Sequence, residues 1–257
     1  MAAKKIIKQI ITSLTPRVVR EFYAYPFMLP LIQEIKTLKE QYEYVNMSYS
    51  QEGEDLFLNR IFADKREGFY VDIGAHHPKR FSNTYAFYRR GWRGINIDAM
   101  PGSMRLFNEQ RPEDINLEVG ISVENNKVLK YFIFNEPGLN TFSEEVAKKN
   151  DGIYNRYYIT DIIELKVERL DSILDKYLPK NQHIDFFSID VEGLDLQVLQ
   201  SNNWEQYRPD IILVESDSTL DIVSHINSDI GIFLNSVSYK FIGKTFKTLF
   251  FKNVDAQ

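Results

Sequence analysis

Short apolar runs alternate with amphipathic stretches along most of the chain. Residues 69–73 predict a strand that ends in Gly74, 83–90 a helix, 95–98 a second strand, 103–110 a helix and 115–121 a third strand. A β-rich stretch, 128–134, is closed by the turn signal Glu136-Pro137-Gly138. Residues 139–158 are polar and aromatic without a clear period, as expected of a lid or substrate loop. Residues 162–167 predict another strand and 170–177 a helix. The runs 184–189 and 211–214 have the unbroken apolar character of buried parallel strands. Residues 239–242 and 249–251 predict a closing antiparallel pair. The pattern as a whole predicts an α/β fold, a mostly parallel sheet with helices on both faces.

Upstream of this core, residues 49–62 predict a helix with Leu56, Phe57 and Ile61 on its apolar side, and 33–44 are rich in helix formers. Residues 1–47 therefore read as a helical N-terminal extension and 48–257 as one domain, with no linker or repeat that would divide it. Ile6, Ile7, Ile10, Ile11 and Leu14 share one helical face among Lys4, Lys5, Lys8, Arg17 and Arg20, and no acid precedes Glu21. This basic amphipathic stretch, residues 1–20, is a candidate for peripheral contact with an anionic membrane surface. Packing on the domain or within a homo-oligomer is the commoner use of such a face. The longest apolar run, 24–32, is interrupted by Pro26 and Pro30 and falls far short of the ~20 residues a spanning helix needs.

Composition narrows the function classes. With 31 basic and 36 acidic residues the net charge is −5, which disfavours a nucleic-acid partner. The absence of cysteine excludes disulfides, thiolate metal sites and cysteine nucleophiles. It fits a reducing compartment, and with no recognisable secretory signal the expectation is a cytoplasmic protein, with residues 1–20 as the candidate contact to the inner membrane face.

Ligands of open α/β sheets bind beyond the carboxyl ends of the strands. Those ends here carry Asp72-Ile73-Gly74-Ala75, Asp98, Gly120-Ile121-Ser122, Asp190-Val191-Glu192-Gly193 and Glu215-Ser216-Asp217. Asp98 follows Asp72 by 26 residues, the place where a carboxylate accepts from both hydroxyls of a nucleotide ribose. The first turn, Gly74-Ala75-His76-His77-Pro78, lacks the G-x-G-x-x-G pattern of dinucleotide enzymes, and no P-loop is present. An acid beside that turn repels phosphate and tolerates a cation such as the sulfonium and amine of S-adenosylmethionine.

Three motifs, residues 69–75, Gly91-Trp92-Arg93-Gly94-Ile95-Asn96-Ile97-Asp98 and Ile189-Asp190-Val191-Glu192-Gly193 with Leu196 and Leu199, resemble the FkbM family of S-adenosylmethionine-dependent methyltransferases. The segments 49–55 and 76–84 resemble one bacterial branch of it, and the likeness spans about 48–252. The resemblance implies a Rossmann-like methyltransferase domain and O-methylation of a hydroxyl, often on a sugar of a bacterial surface glycan or on a natural product. On this reading Asp72, Gly74, Ala75, Asn83, Asp98 and Ser122 are the cofactor-side candidates. Asp190, Glu192 and His76 are the catalytic candidates. His77 neighbours His76, and adjacent side chains diverge, so one faces the pocket while the other holds the loop. The sequence departs from general methyltransferases where His76-His77-Pro78 replaces a glycine-rich loop.

An alcohol needs a base for its proton, and an isolated carboxylate is weak for that task. Asp190, Glu215 and Asp217 are candidate oxygen ligands for Mg²⁺, which would lower the hydroxyl pKa. The stretch 79–111 holds seven basic residues against two acids, either a solvated face or a steering surface for an anionic glycoconjugate acceptor. Asn140, Thr141, Tyr154, Tyr157 and Tyr158 in the lid suit a sugar ring. The rival readings are a methyltransferase for a natural-product or lipid hydroxyl, a non-catalytic interaction protein that keeps the fold, and, disfavoured by the glycine pattern, a nicotinamide oxidoreductase.

Overall fold

The computed structural model describes residues 28–216 and 219–255. The basic stretch 1–20 and Asp217 lie outside the described residues. The chain divides into two compact units, Met1–Met47 and Ser48–Gln257. In the first, helix α1 (Met28–Gln41) is formed by the helix-forming stretch around Glu34, Lys36 and Lys39. No helix among the described residues is long and apolar enough to cross a membrane.

The second unit holds a seven-stranded sheet. Strands β1 (Phe69–Ile73), β2 (Arg93–Asp98), β3 (Ile115–Glu118), β7 (Phe186–Ile189) and β8 (Ile211–Glu215) run parallel. Strand β10 (Thr248–Asn253) is inserted antiparallel between β8 and β9 (Tyr239–Lys244). The order β3-β2-β1-β7-β8-β10-β9 is that of a Rossmann-like methyltransferase fold, and the chain reverses direction across the sheet between β1 and β7. A second sheet, β4-β6-β5, joins Gly120–Ile121, Ile159–Glu168 and Lys127–Phe134.

Alternation along the strands sends side chains to two apolar layers. Val71, Ile73, Phe187, Ile189, Ile212 and Val214 face one, with helices α6 (Leu170–Tyr177) and α7 (Asp195–Gln200) packed there. Tyr70, Phe186, Leu213 and Phe250 face the other, closed by Leu58 of α2 (Glu54–Ile61), Phe87 of α3 (Tyr85–Tyr88) and Trp92.

Four elements differ from the sequence expectation. The helix expected over 49–62 starts only at Glu54, because the Ser48 and Ser50 hydroxyls and the Tyr49 N–H fold onto the Asp55 carboxylate. The third strand, expected over 115–121, breaks at Val119, whose N–H bonds to Asp98; β3 stays in the main sheet while β4 and the following Ser122 join the second. A single apolar run conceals that change of partner. The stretch 139–158, read as a lid or substrate loop, contains helix α5 (Glu144–Asn150), capped by the Ser143 hydroxyl on the Val146 N–H. The helix expected over 83–90 shrinks to α3, with Thr84 and Arg89 as its caps; the Asn83 and Thr84 side chains are engaged by Ser188 and Asp72 instead. The remaining α-helices among the described residues are α4 (Met104–Gln110), α8 (Ile222–Ile226) and α9 (Asp229–Ser236).

Candidate active site

A cavity of about 520 Å³ opens at the carboxyl ends of β1, β2, β7 and β8. Its first wall is the turn after β1. Gly74 takes φ +84°, and the Gly74 and Ala75 N–H groups both reach the Ile97 carbonyl, at 2.9 and 3.0 Å. A Cβ on Gly74 would stand 1.7 Å from the Asp190 carbonyl oxygen, so only glycine lets β1 and β7 close together here.

Asp98 ends β2 and lies half-buried in the wall. Its oxygens accept the His76 N–H at 2.9 Å and the Met100 N–H at 2.8 Å, which fixes the carboxylate at the rim. Burial raises its pKa, and those two N–H donors oppose the rise. Asp72 sits deeper and is buried; burial raises its pKa too, against Arg111 and the hydroxyls of Thr84 and Ser188. Asn83 lines the cavity and donates to the Ser188 hydroxyl at 3.1 Å. The histidines divide as expected of neighbours. His76, held at φ +52°, lines the cavity, and burial lowers its pKa despite Asp98. The His77 Nδ1 accepts from the Lys79 and Arg80 N–H groups at 3.0 and 2.9 Å and so holds the loop.

The opposite wall carries the carboxylates. Asp190, Glu192 and Glu215 bring one oxygen each within 4.8 Å of the others. Glu192 adopts φ +53° at the tip of the turn after β7, and Asp195 anchors that turn by accepting the Val191 and Gly193 N–H groups, both at 3.2 Å. Asp190 is open to the cavity yet walled by protein elsewhere. Its removal from bulk water, with Glu215 and then Glu192 beside it, raises its pKa well above the carboxylate range. Burial and Glu215 push Glu192 up to about 8.

Lys247, which the sequence reading did not single out, completes this wall. Thr248 is the register partner of Glu215, so the preceding residue emerges beside the carboxylates, with Nζ 3.5 Å from Glu215. Partial burial works against its charge, but Glu215, Glu192 and Asp190 outweigh it and raise its pKa. The segment before α2 locks this lysine in place. The Asp55 carboxylate gathers the Ser48 and Ser50 hydroxyls and the Tyr49 N–H. Glu54 accepts from the Thr245 and Thr248 hydroxyls at 3.0 and 3.1 Å, Glu52 accepts the Lys247 N–H at 2.8 Å, and Gln51 lines the cavity.

The lid contributes Asn140, Phe142, Arg156 and Tyr157 to the lining, joined by Tyr131 and Arg80. Other lid candidates have different places. The Thr141 hydroxyl is buried on the Glu192 carbonyl at 2.8 Å, whereas Tyr154 and Tyr158 are exposed and outside the lining. Ser122 is buried outside the lining, its N–H on the Glu168 carbonyl.

Residues 72–241 match the Methyltransferase FkbM domain, so the matched segment runs from Asp72 through both carboxylate-bearing turns into β9. The chain belongs to the FkbM methyltransferase family. It is a methyltransferase with a Rossmann-like domain, and the cavity lies where that fold places its ligands, at the reversal between β1 and β7. No curated protein matches the chain. In this FkbM methyltransferase the first matched residue is the buried cavity carboxylate Asp72, while Gln51, Glu52, Glu54 and Lys247 fall outside the matched segment.

Proposed function

We propose that this FkbM methyltransferase is an S-adenosylmethionine-dependent O-methyltransferase acting on a sugar hydroxyl, in surface-glycan assembly. The observation that carries the reading is the division of one cavity into a half with two separate carboxylates, Asp72 and Asp98, and a half with three clustered ones. The donor fits the first half. Asp98 retains lone pairs for ribose hydroxyls after accepting two backbone bonds, Ile97, Ala99 and Ile121 offer apolar surface, and Asp72 lies on the side suited to an amine. When bound, S-adenosylmethionine supplies an electrophilic methyl group.

The chain's own task is to hold the acceptor oxygen in line and take its proton. Asp190 and Glu192 are the candidate bases, and their crowding raises proton affinity toward the value such a base needs. Tyr131, Phe142 and Tyr157 present aromatic surface for a sugar ring, and Arg80 and Arg156 add positive charge at the lid. Asp190, Glu192 and Glu215 form an all-oxygen donor set suited to Mg²⁺, which would lower the hydroxyl pKa there; Asp217, the other expected ligand, lies outside the described residues.

The test is calorimetric titration with S-adenosylhomocysteine, NAD as control, for the parent and Asp98→Ala. Saturable binding of S-adenosylhomocysteine alone, weakened at least about tenfold by the substitution, is expected. Unchanged binding by Asp98→Ala refutes the assignment. Methyl transfer from labelled donor to glycan rather than lipid pools tests the acceptor class, and full activity after exhaustive chelation removes Mg²⁺.

A further inference from the structure

The face of the sheet that carries Tyr70 and Phe186 is apolar and mostly aromatic, with a polar inlay beneath the first cavity wall. At its centre is Arg111, with 0% of its surface exposed. Sequence placed it in a basic stretch suited to solvent or substrate steering; the structure places it inside. Its Nε donates to Asp114 at 2.9 Å, one terminal nitrogen to the Tyr70 hydroxyl at 2.7 Å and the other to the Thr84 hydroxyl at 3.0 Å. The Thr84 hydroxyl in turn donates to Asp72 at 2.8 Å. A guanidinium has only donors, so Thr84 must accept from Arg111; of the two acceptors left for its single proton, Asp72 at 2.8 Å is nearer and charged, and the Ser82 hydroxyl at 3.2 Å can donate its own proton instead.

We propose that Arg111 is a positioning residue for the donor half of the cavity, acting through the Thr84 hydroxyl to hold Asp72 as an oriented carboxylate. The proposal rests on the reading of that half as the S-adenosylmethionine site. The groups around Asp72 define the balance. Arg111 at the end of α4 favours its charge, as do the hydroxyls of Thr84 and of Ser188 on β7. Asp114, in the loop before β3, opposes it, although its own carboxylate is engaged by Arg111, Tyr70, Asn96 and the Gly94 N–H. On the cavity side stand Asp98, Asp190 and His76. Without the Thr84 proton, Asp72 would keep its burial and lose the bond that favours its ionised form.

Replacing Arg111 would leave Asp114 buried and unpaired and risks the fold, so Thr84→Val and Thr84→Ser are the informative variants. Titration with S-adenosylhomocysteine from pH 6 to 9 is expected to show Thr84→Val weaker by about tenfold at neutral pH and recovering toward the parent at pH 9, with Thr84→Ser near the parent throughout. Carboxyl ¹³C NMR of aspartate-labelled protein gives a readout free of the ligand: the Asp72 midpoint rises in Thr84→Val and not in Thr84→Ser. An unmoved midpoint, or an equal pH-independent weakening in both variants, overturns the proposal. A parent that fails to bind S-adenosylhomocysteine while the midpoint still moves would overturn the donor-site reading and leave the Arg111–Thr84–Asp72 relay standing.

Discussion

Two glycines of this methyltransferase share a backbone conformation and differ in surroundings, which separates conformational from steric cost. Gly74 has φ +84° and Gly102 has φ +83°. A Cβ on Gly102 meets nothing within 4 Å, whereas one on Gly74 lies 1.7 Å from the Asp190 carbonyl oxygen and 2.7 Å from its carbon. Gly102→Ala should therefore cost only the left-handed penalty, about 1–2 kcal/mol. Gly74→Ala carries the same penalty, and the strand-end peptide of Asp190 must also retreat by roughly 1.3 Å to reach a tolerable 3.0 Å contact. Both partners are backbone, pinned by the Gly74 and Ala75 bonds to Ile97 and by the Asp190 N–H on Ile73, so no rotamer change relieves the clash. Adding an overpacking cost of about 1–3 kcal/mol gives roughly 2–5 kcal/mol in total. Thermal denaturation of both variants is the assay. At about 2–4 °C per kcal/mol, the melting midpoint of Gly102→Ala should fall by a few degrees and that of Gly74→Ala by clearly more. Gly74→Ala should also lose S-adenosylhomocysteine binding, which Gly102→Ala keeps. Equal stability of the two variants would refute the close-approach argument.

The histidines should separate in the same way. His77→Ala should lower stability by about 1 kcal/mol by freeing two backbone donors, seen in urea melts, while His76→Ala acts chiefly on turnover. Burial, then Glu215, pushes Asp195 up to about 7, so the folded state holds a proton that the unfolded chain has released. Stability from this group is present at low pH and is lost as pH rises from about 4 through 7; Asp195→Asn should flatten that slope in denaturation curves run across pH. Lys247→Met removes the cation beside three carboxylates and should shift the pH–rate profile to higher pH; an unshifted profile would separate Lys247 from the proton-accepting groups.

The α/β class, the closing strand pair and the strand-end acids were legible because each follows from local periodicity and turn residues. Helix α6 was legible to the residue, since Leu170, Ile173 and Leu174 repeat on one face and Leu178 leaves the helical region at its end. Less was legible where tertiary partners decide. The switch of residues 120–121 into a second sheet depends on their β6 partners Val167 and Glu168, 47 residues later. Arg111 looks like any surface arginine until Asp114, Tyr70 and Thr84 surround it. Lys247 carries no local signal, because only the antiparallel register of β10 against β8 brings it to Glu215.

The clamp around Lys247 has a consequence for the order in which the chain can acquire its site. Glu54 and Thr248 are separated by 194 residues and Glu52 and Lys247 by 195. The half proposed for the donor, in contrast, draws Asp72, Thr84, Asp98 and Arg111 from a span of forty residues. A ribosome emitting this chain N-terminus first releases the Asp72–Asp98 half of the cavity early, while the carboxylate wall waits for the β9–β10 hairpin. Closure over such distances is the slow kind. Chains made only as far as residue 111 would thus carry the segment 48–55 without its partner until the β9–β10 hairpin completes the carboxylate wall.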